Sequence, residues 1–332
     1  MVITLSVMAD AMAIAAVLDG SHAFRMSGAS TIVLNAEGQV SGQACDALSL
    51  LPGVTASGAV RKRGHKLRTA NLPSQEIDFY DGTQGMVRLL GVETDSRVDD
   101  SSNGSHLLLE TNLADRVGVV PGDEFRTDQG QAWLAGEYDY PDDGRLQVLS
   151  NAAVMIRATT GWYDQCWAQF WPVNVNARTI VSRVVYRQDS DQKVIITQLN
   201  PSYGITYDGA SWFLTRPTRY AALAAWGLCF GFAFLVVRQR RTEFALSRHV
   251  GVAKSALVIQ VAVETLWWVI PLVSVAVPAL WLVERVLLPD SEEILVAGAR
   301  IAAAGLLGAF AASVLVAATS TQQKLFRLLK ER

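Results

Sequence analysis

Long, uninterrupted stretches of apolar residues constrain this chain more than any other feature of its sequence. A transmembrane helix needs about 20 mostly apolar residues. Residues 220–237 carry no charge, and Arg238, Arg240 and Arg241 follow at once. An apolar run that stops at a basic cluster is typical of a membrane span, and we therefore predict a transmembrane helix over residues 219–238.

Two further apolar runs follow it along the chain. Residues 256–283 hold a single acidic residue, Glu264, and predict a transmembrane helix over 255–284. The run over 294–318 contains Arg300 near its start and predicts another span. Only 18% of all residues are charged, whereas soluble domains have about a quarter. The composition therefore also argues against a purely soluble protein.

The N-terminal segment is apolar as well. Residues 1–18 contain Asp10 as their only charged residue, and we predict a first transmembrane helix over 1–19. A cleaved signal peptide is the alternative, but the basic segment with which such a peptide begins is missing before residue 18. Because 19 residues are short for a span, a longer first helix that starts upstream of residue 1 stays open.

Ionisable and small residues within the predicted spans indicate contacts between helices. An ionisable side chain inside the bilayer is costly and usually faces a partner or water. Glu264 therefore either joins a hydrogen-bonding network between helices or serves in packing alone. Asp10 is placed similarly, and Arg300 can extend toward the membrane surface. Small residues four positions apart allow helices to pack closely; in the last span these are Ala304, Gly308 and Ala312.

Positive charges in the short loops set the predicted orientation, because Lys and Arg concentrate on the cytoplasmic side. The loop over 239–254 and the tail over 319–332 each carry four of them, while the loop over 285–293 carries three acids and one Arg. The first two segments are therefore predicted to be cytoplasmic, and residues 20–218 extracytoplasmic. The predicted fold class is an α-helical, multi-pass protein of the cell (cytoplasmic) membrane with four transmembrane helices in a 1+3 arrangement. A large α+β extracytoplasmic domain is inserted between helices 1 and 2.

The segment between the first two spans has a mixed α and β pattern. Ser41 can cap a helix that Pro52 and Gly53 end, and short apolar runs flanked by turn residues indicate strands. Helices on one face of a small sheet give an α+β domain. We predict helices over 42–51, 108–117 and 173–185, and strands over 31–35, 54–60, 85–92, 133–137, 145–158 and 193–199.

Two of the three cysteines lie in this predicted extracytoplasmic domain, where disulfides form. We predict a Cys45–Cys166 disulfide that closes a loop of about 120 residues; two unrelated buried thiols are the alternative. Cys229 falls in a predicted span. The aromatic-rich stretch over 162–172 is more typical of a core segment than of a surface that stacks on a ligand.

No catalytic or metal-binding pattern stands out in the sequence. The net charge of −2 gives no electrostatic reason for nucleic-acid binding. The four histidines share no metal-ligand spacing, and the patterns HExxH and GxSxG are absent. The segment from Gly251 to Ser255 lacks the glycine that precedes the lysine of a phosphate-binding loop. We predict no catalytic residue, no metal site and no enzyme activity in this chain.

The segment from Arg240 onward, RRTEFALSRHVGVAKSALVIQVAVETL, resembles the permease domain of FtsX/MacB-type ABC transporters. That family has a basic cluster, a Glu, the pattern aL-r-x-x-G, a basic residue and a membrane helix with an early Glu. Residues 107–125 and 41–54 are similar to two stretches of the family's external domain, whereas His249 and Val250 depart from its usual residues. The residues that match the permease pattern are Arg240, Arg241, Glu243, Ala245, Leu246, Arg248, Gly251, Lys254 and Glu264.

The resemblance implies a dimer of identical or different permease chains, with a separate ATPase chain bound on the cytoplasmic side. ATP and Mg²⁺ would bind to that ATPase, so this chain is expected to hold no cofactor. Residues 239–253 suit a short amphipathic helix at the inner membrane surface. By resemblance this helix docks on the ATPase; a simple interfacial anchor is the alternative. The expected coupling residues are Arg240, Arg241, Glu243, Phe244, Leu246, Arg248, Gly251 and Lys254.

Two functions follow from the resemblance. The first is the permease subunit of an ABC exporter that couples ATP hydrolysis to movement of its extracytoplasmic domain and exports a peptide, antibiotic or lipid-like substrate. The second is an FtsX-like signalling coupler that regulates an extracytoplasmic partner, such as a cell-wall hydrolase, without transport. A membrane anchor or sensor without an ATPase would leave the patterned 239–254 loop unexplained. The expected partners are the ATPase, a second permease chain, the lipid bilayer and an extracytoplasmic protein or small molecule, but no nucleic acid.

Overall fold

The computed structural model describes residues 2–92, 106–157, 159–186, 193–287 and 292–319. The chain divides into two compact units. The helical unit consists of Met1–Gly20 and Asp208–Arg332, and the sheet unit consists of Ser21–Tyr207.

The sheet unit contains a nine-stranded mixed sheet among the described residues. Its strand order is β5-β6-β4-β7-β3-β2-β8-β1-β9, with parallel pairing in β3–β7 and β4–β6 and antiparallel pairing elsewhere. The strands are β1 Thr31–Ser41, β2 Val54–Lys62, β3 Asp78–Gly82, β4 His106–Glu110, β5 Glu124–Thr127, β6 Gly130–Tyr138, β7 Ala152–Ile156, β8 Trp162–Phe170 and β9 Ile195–Gln198. A first long helix, α1 Val2–Met26, precedes them, and four short helices accompany them: α2 Gly42–Ala47, α3 Gly85–Leu89, α4 Thr111–Val117 and α5 Ala177–Ser182. The predicted α+β character of this segment is confirmed.

Successive residues of a strand point to opposite faces of the sheet, and the buried residues sort accordingly. On one face a single core cluster holds Val60, Tyr80 and Trp167. On the other face the neighbouring residues divide between two separate clusters. One includes Ala59 and residues of α2 and α5, and the other includes Phe79 and residues of α4. The second face is therefore covered in two places, with β2 and β3 meeting between them.

Two predicted elements of the sheet unit are wrong. Residues 85–92, predicted as a strand, begin with helix α3, which lies directly on the backbone of β2. A Cβ on Gly58 would come within 2.5 Å of the Met86 nitrogen, and one on Gly85 would collide with the carbonyl oxygen of Ser57. Residues 108–117, predicted as a helix, divide into the end of β4 and helix α4. The helix predicted over 173–185 shortens to α5.

The Cys45–Cys166 disulfide is confirmed. The bond joins α2 to β8 across a Cα–Cα distance of 5.8 Å, and both residues are fully buried. Strand β8 lies between β2 and β1, so the bond ties a covering helix to the interior of the sheet. The aromatic stretch that contains Cys166 packs mainly inward, since Tyr163, Trp167 and Phe170 are buried.

The helical unit combines the first residues of α1 with the C-terminal part of the chain. Three helical segments are long and apolar enough to cross a membrane among the described residues: Val2–Met26, Pro217–Gln239 and Ile294–Thr319. The segment predicted over 255–284 is also helical, but the count of four spans stays a prediction. The helices are α6 Gly209–Thr215, α7 Ala221–Gln239, α8 Arg241–His249, α9 Lys254–Leu287 and α10 Glu292–Thr319.

Candidate coupling site

Helix α8 is a short helix between two long ones, and both of its ends are defined by tight turns. Arg240 caps the C-terminus of α7 and the N-terminus of α8. At the other end Gly251 adopts a φ of +98°, which favours glycine. The Val252 N–H donates to the Ser247 carbonyl at 3.1 Å, and the Gly251 N–H donates to the Arg248 carbonyl at 3.2 Å. This pair of bonds is a Schellman motif, so Gly251 ends the helix as its position in the sequence predicts.

The apolar residues of α8 face in two directions. Phe244 is buried in a cluster with Leu257 and Val261 of α9 and Ala317 of α10. Leu246, by contrast, is 61% exposed. The prediction grouped Phe244 with Leu246 as coupling residues, but only Leu246 presents its side chain outward.

The exposed apolar surface of α8 continues into the turn that follows it. Val250 is 82% exposed, and His249, Gly251 and Lys254 are also exposed. We call Leu246, Val250 and their exposed neighbours up to Lys254 the α8 outer face. Exposed large apolar residues next to basic ones are typical of a surface that another protein covers.

Three predicted charged residues meet at the junction of α7, α8 and α9. The Arg240 Nε donates to Glu243 Oε2 at 2.9 Å, and the Arg240 Nη1 donates to Glu264 Oε2 at 2.6 Å. The Gln260 amide donates to the other oxygen of Glu264 at 3.1 Å. Glu264 thus takes part in a hydrogen-bonding network between helices, which was the first of its two predicted roles; whether that network moves stays a prediction.

The remaining predicted coupling residues contribute less to this junction. Arg241 is partly buried. Arg248 donates from Nη1 to the Val252 carbonyl at 3.4 Å, across the turn that ends α8. Lys254 is the first residue of α9.

Asp10 has a partner that the sequence analysis missed. Its carboxylate is buried and accepts a hydrogen bond from Arg216 Nε at 3.0 Å. The Arg216 guanidinium also donates to the Phe213 carbonyl at 2.7 Å and stacks 3.8 Å from the centroid of the Phe213 ring. The signal was available, because a buried acid calls for a cation and Arg216 lies just before the second apolar run.

The small residues of α10 allow close packing against α7. A Cβ on Gly308 would collide with the carbonyl oxygen of Trp226, and a Cβ on Gly305 would come within 2.8 Å of Ile3. Ala312 is fully buried, whereas Ala304 is only partly buried. Gly305 therefore contacts a neighbouring helix more closely than the predicted Ala304. Arg300 is exposed, as its predicted extension toward the membrane surface requires.

A cavity of about 510 Å³ lies in the helical unit between α1, α7, α9 and α10. Most of its lining is apolar, and Leu228, Phe232 and Trp268 are among the lining residues. Arg240 and Glu264 also line it. The cavity therefore offers apolar walls together with one ion pair.

No group of three or more His, Cys, Asp or Glu that could hold a metal ion occurs within the described ranges. No protein-family model matches the chain, and no curated protein matches it either. Two solved structures are similar. The periplasmic region of MacB from Actinobacillus actinomycetemcomitans is 10% identical, with a TM-score of 0.40 over 53% of this chain and 91% of that one. A domain of a "putative Permease protein" from Porphyromonas gingivalis is 14% identical, with a TM-score of 0.36 over 52% and 91%. Both are consistent with the family that the sequence resembles.

Proposed function

We propose that this chain is the membrane subunit of an FtsX/MacB-type ABC transporter, which couples ATP hydrolysis by a separate ATPase to movement of its extracytoplasmic domain. The observation that carries the proposal is α8. This helix is held by tight turns between two long helices and presents an apolar, basic-flanked outer face. The order of elements supports it as well, because a long apolar helix, an α+β unit and further long apolar helices follow one another along the chain.

The contacts of α8 give a route for force from the ATPase into the membrane helices. A partner that binds Leu246 and Val250 pushes or pulls on α8 as a whole. Phe244 passes that displacement to α9 and α10 by packing, and Arg240 passes it to α9 through its ion pair with Glu264. In this mechanism the nucleotide and Mg²⁺ belong to the ATPase, and this chain catalyses no reaction.

Export of an amphipathic, peptide-, antibiotic- or lipid-like substrate is the favoured form of this function. The cavity of the helical unit supports it, because apolar walls beside an ion pair suit a molecule with an apolar body and a polar end. A second permease chain, identical or different, completes the proposed transporter. Stimulation of the ATPase by such a molecule would favour export, and stimulation by an extracytoplasmic protein alone would favour an FtsX-like coupler.

The test is co-purification from native membranes. Leu246→Asp is expected to abolish recovery of a nucleotide-hydrolysing subunit, because it places a charge in the apolar docking surface. Val120→Asp is the matched control, since Val120 is also 61% exposed but lies in the sheet unit. Equal recovery with Leu246→Asp and with the wild type would contradict the proposal.

A second variant separates docking from force transfer. Arg240→Gln removes the ion pair with Glu264 but leaves the α8 outer face intact. We expect it to retain the ATPase in the complex while substrate-stimulated hydrolysis falls. A variant that loses the ATPase altogether would assign Arg240 to the docking surface instead.

A further inference from the structure

Three arginines surround one buried aspartate on the sheet unit. Arg61 on β2 pairs directly with Asp81 on β3. Arg63 lies two residues further along β2, and Arg157 directly follows β7, the other neighbour of β3. We call these four residues the arginine cluster. It lies on the face of the sheet that is covered in two separate places.

Asp81 is saturated by these arginines. It accepts from Arg61 Nη2 at 2.9 Å and from Arg63 Nε and Nη2 at 2.9 and 2.5 Å, and Arg157 Nε lies 3.4 Å from its Oδ1. A carboxylate offers about four lone-pair sites, so these four contacts use them fully. Burial by itself raises the pKa of Asp81, but the hydrogen bonds from Arg63 and Arg61 outweigh it and leave the pKa below its usual value. The aspartate is therefore ionised and fixes the positions of the guanidinium groups.

The cluster has more positive charge than its aspartate neutralises. Three guanidinium groups and one carboxylate leave a net charge of +2. Arg61 and Arg157 are also half exposed, with 47% and 51% of their side chains accessible, whereas Arg63 is largely buried. The two half-exposed arginines therefore keep both charge and donor groups available to an anion from solution.

The neighbouring carboxylates are engaged by other donors. Asp164 accepts the backbone N–H groups of Gly38 and Lys62, each at 3.0 Å. Asp46 accepts from the Thr83 hydroxyl and from a backbone N–H, and burial raises its pKa. Neither carboxylate forms an ion pair with an arginine of the cluster within the described residues.

We propose that Arg61 and Arg157 form a binding site for the phosphoryl group of an extracytoplasmic ligand. The planar guanidinium fork matches phosphate oxygens in pairs. A phosphoryl group carries up to two negative charges and three strong acceptor oxygens, which fits two arginines and an excess charge of +2. The site does not depend on the ATPase, so it stands or falls separately from the function proposed above.

The test measures binding of inorganic phosphate to the detergent-solubilised full chain by calorimetry. We expect saturable binding with a dissociation constant on the order of 1 mM. The double variant Arg61→Gln/Arg157→Gln is expected to weaken it by about tenfold or more. Arg68→Gln is the matched control, because Arg68 is a similarly exposed, ion-paired arginine of the same unit, and it should leave binding unchanged.

Further arms identify the ligand. Arg61→Lys/Arg157→Lys keeps the charge but removes the fork, and it should bind phosphate more weakly than the wild type. Tighter binding of glycerol 3-phosphate than of inorganic phosphate assigns a phosphate ester, and the reverse order assigns free phosphate. Absence of saturable binding, equal binding by the Gln double variant, or an equal response to sodium chloride or succinate would each overturn the proposal.

Discussion

Removal of the Cys45–Cys166 bond is expected to destabilise the sheet unit by about 5 kcal/mol at most. The two cysteines are 121 residues apart. In the chain-entropy model a loop of that length restricts the unfolded chain by about 16 cal/mol/K, or about 5 kcal/mol at 25 °C. Measured losses of native disulfides run from about 2 to 5 kcal/mol, and we expect a value in that range.

Pulse proteolysis of the solubilised full chain over a urea gradient can measure this loss, because cleavage within the sheet unit reports its opening. The samples are the wild type with and without reductant and the variant Cys45→Ala/Cys166→Ala. Reductant should lower the urea midpoint of the wild type to near that of the double variant, and should leave the double variant unchanged. A loss below about 1 kcal/mol would refute the loop-entropy reasoning, as would an equal effect of reductant on both proteins.

Three further predictions concern single contacts. Arg216→Ala should destabilise the helical unit by about 3–5 kcal/mol, because it strands a buried carboxylate; thermal unfolding in detergent measures this, and Asp10→Asn/Arg216→Gln should recover part of the loss. Gly308→Leu should force α10 away from Trp226 and lower the unfolding temperature in detergent, whereas substitution of an exposed residue of α10, Leu307→Ala, should not. The lowered pKa of Asp81 means that the stabilisation it provides is present above the unfolded value of 3.8 and is lost as the pH falls through the folded pKa. Urea midpoints measured from pH 6 downward should therefore fall below about pH 4, and less steeply in Asp81→Asn.

The sequence was most informative where one strong physical constraint acts on many residues. The apolar runs predict the long helices because hydrocarbon accepts only a backbone that satisfies its own hydrogen bonds. The disulfide could be predicted because few cysteines fall in one compartment. The position of Gly251 predicted the end of α8, because only a residue tolerant of positive φ suits that place.

The errors arose where distant contacts decide. The stretch that contains α3 is short and apolar, so its periodicity fits a strand or a helix. Its close approach to the backbone of β2 at Gly58 is set by the tertiary fold. Helix α4 begins directly after β4 and is capped by the side chain of Glu110, which accepts from the Leu113 N–H at 3.2 Å. Glu is not among the favoured capping residues, so the boundary gave little signal.

The partners of charged residues were the least predictable part of the site. Asp10 and Arg216 are 206 residues apart, and Arg240 and Glu264 belong to different helices. Sequence alone shows that a buried acid needs a cation, but not which of several arginines folds back to it. The arginine cluster escaped notice for the same reason, because its members come from three strands or strand ends.

The backbone contact between Gly308 and Trp226 also limits how α7 and α10 can move. A slide of one residue along the shared axis would bring a side chain of α10 against the carbonyl oxygen that now faces a hydrogen. A slide of one full turn would bring Ala304 or Ala312 there, and even a methyl group does not fit at the present separation. The two helices are thus notched together in register. They can tilt or travel as a pair, but axial slippage between them requires them to separate first.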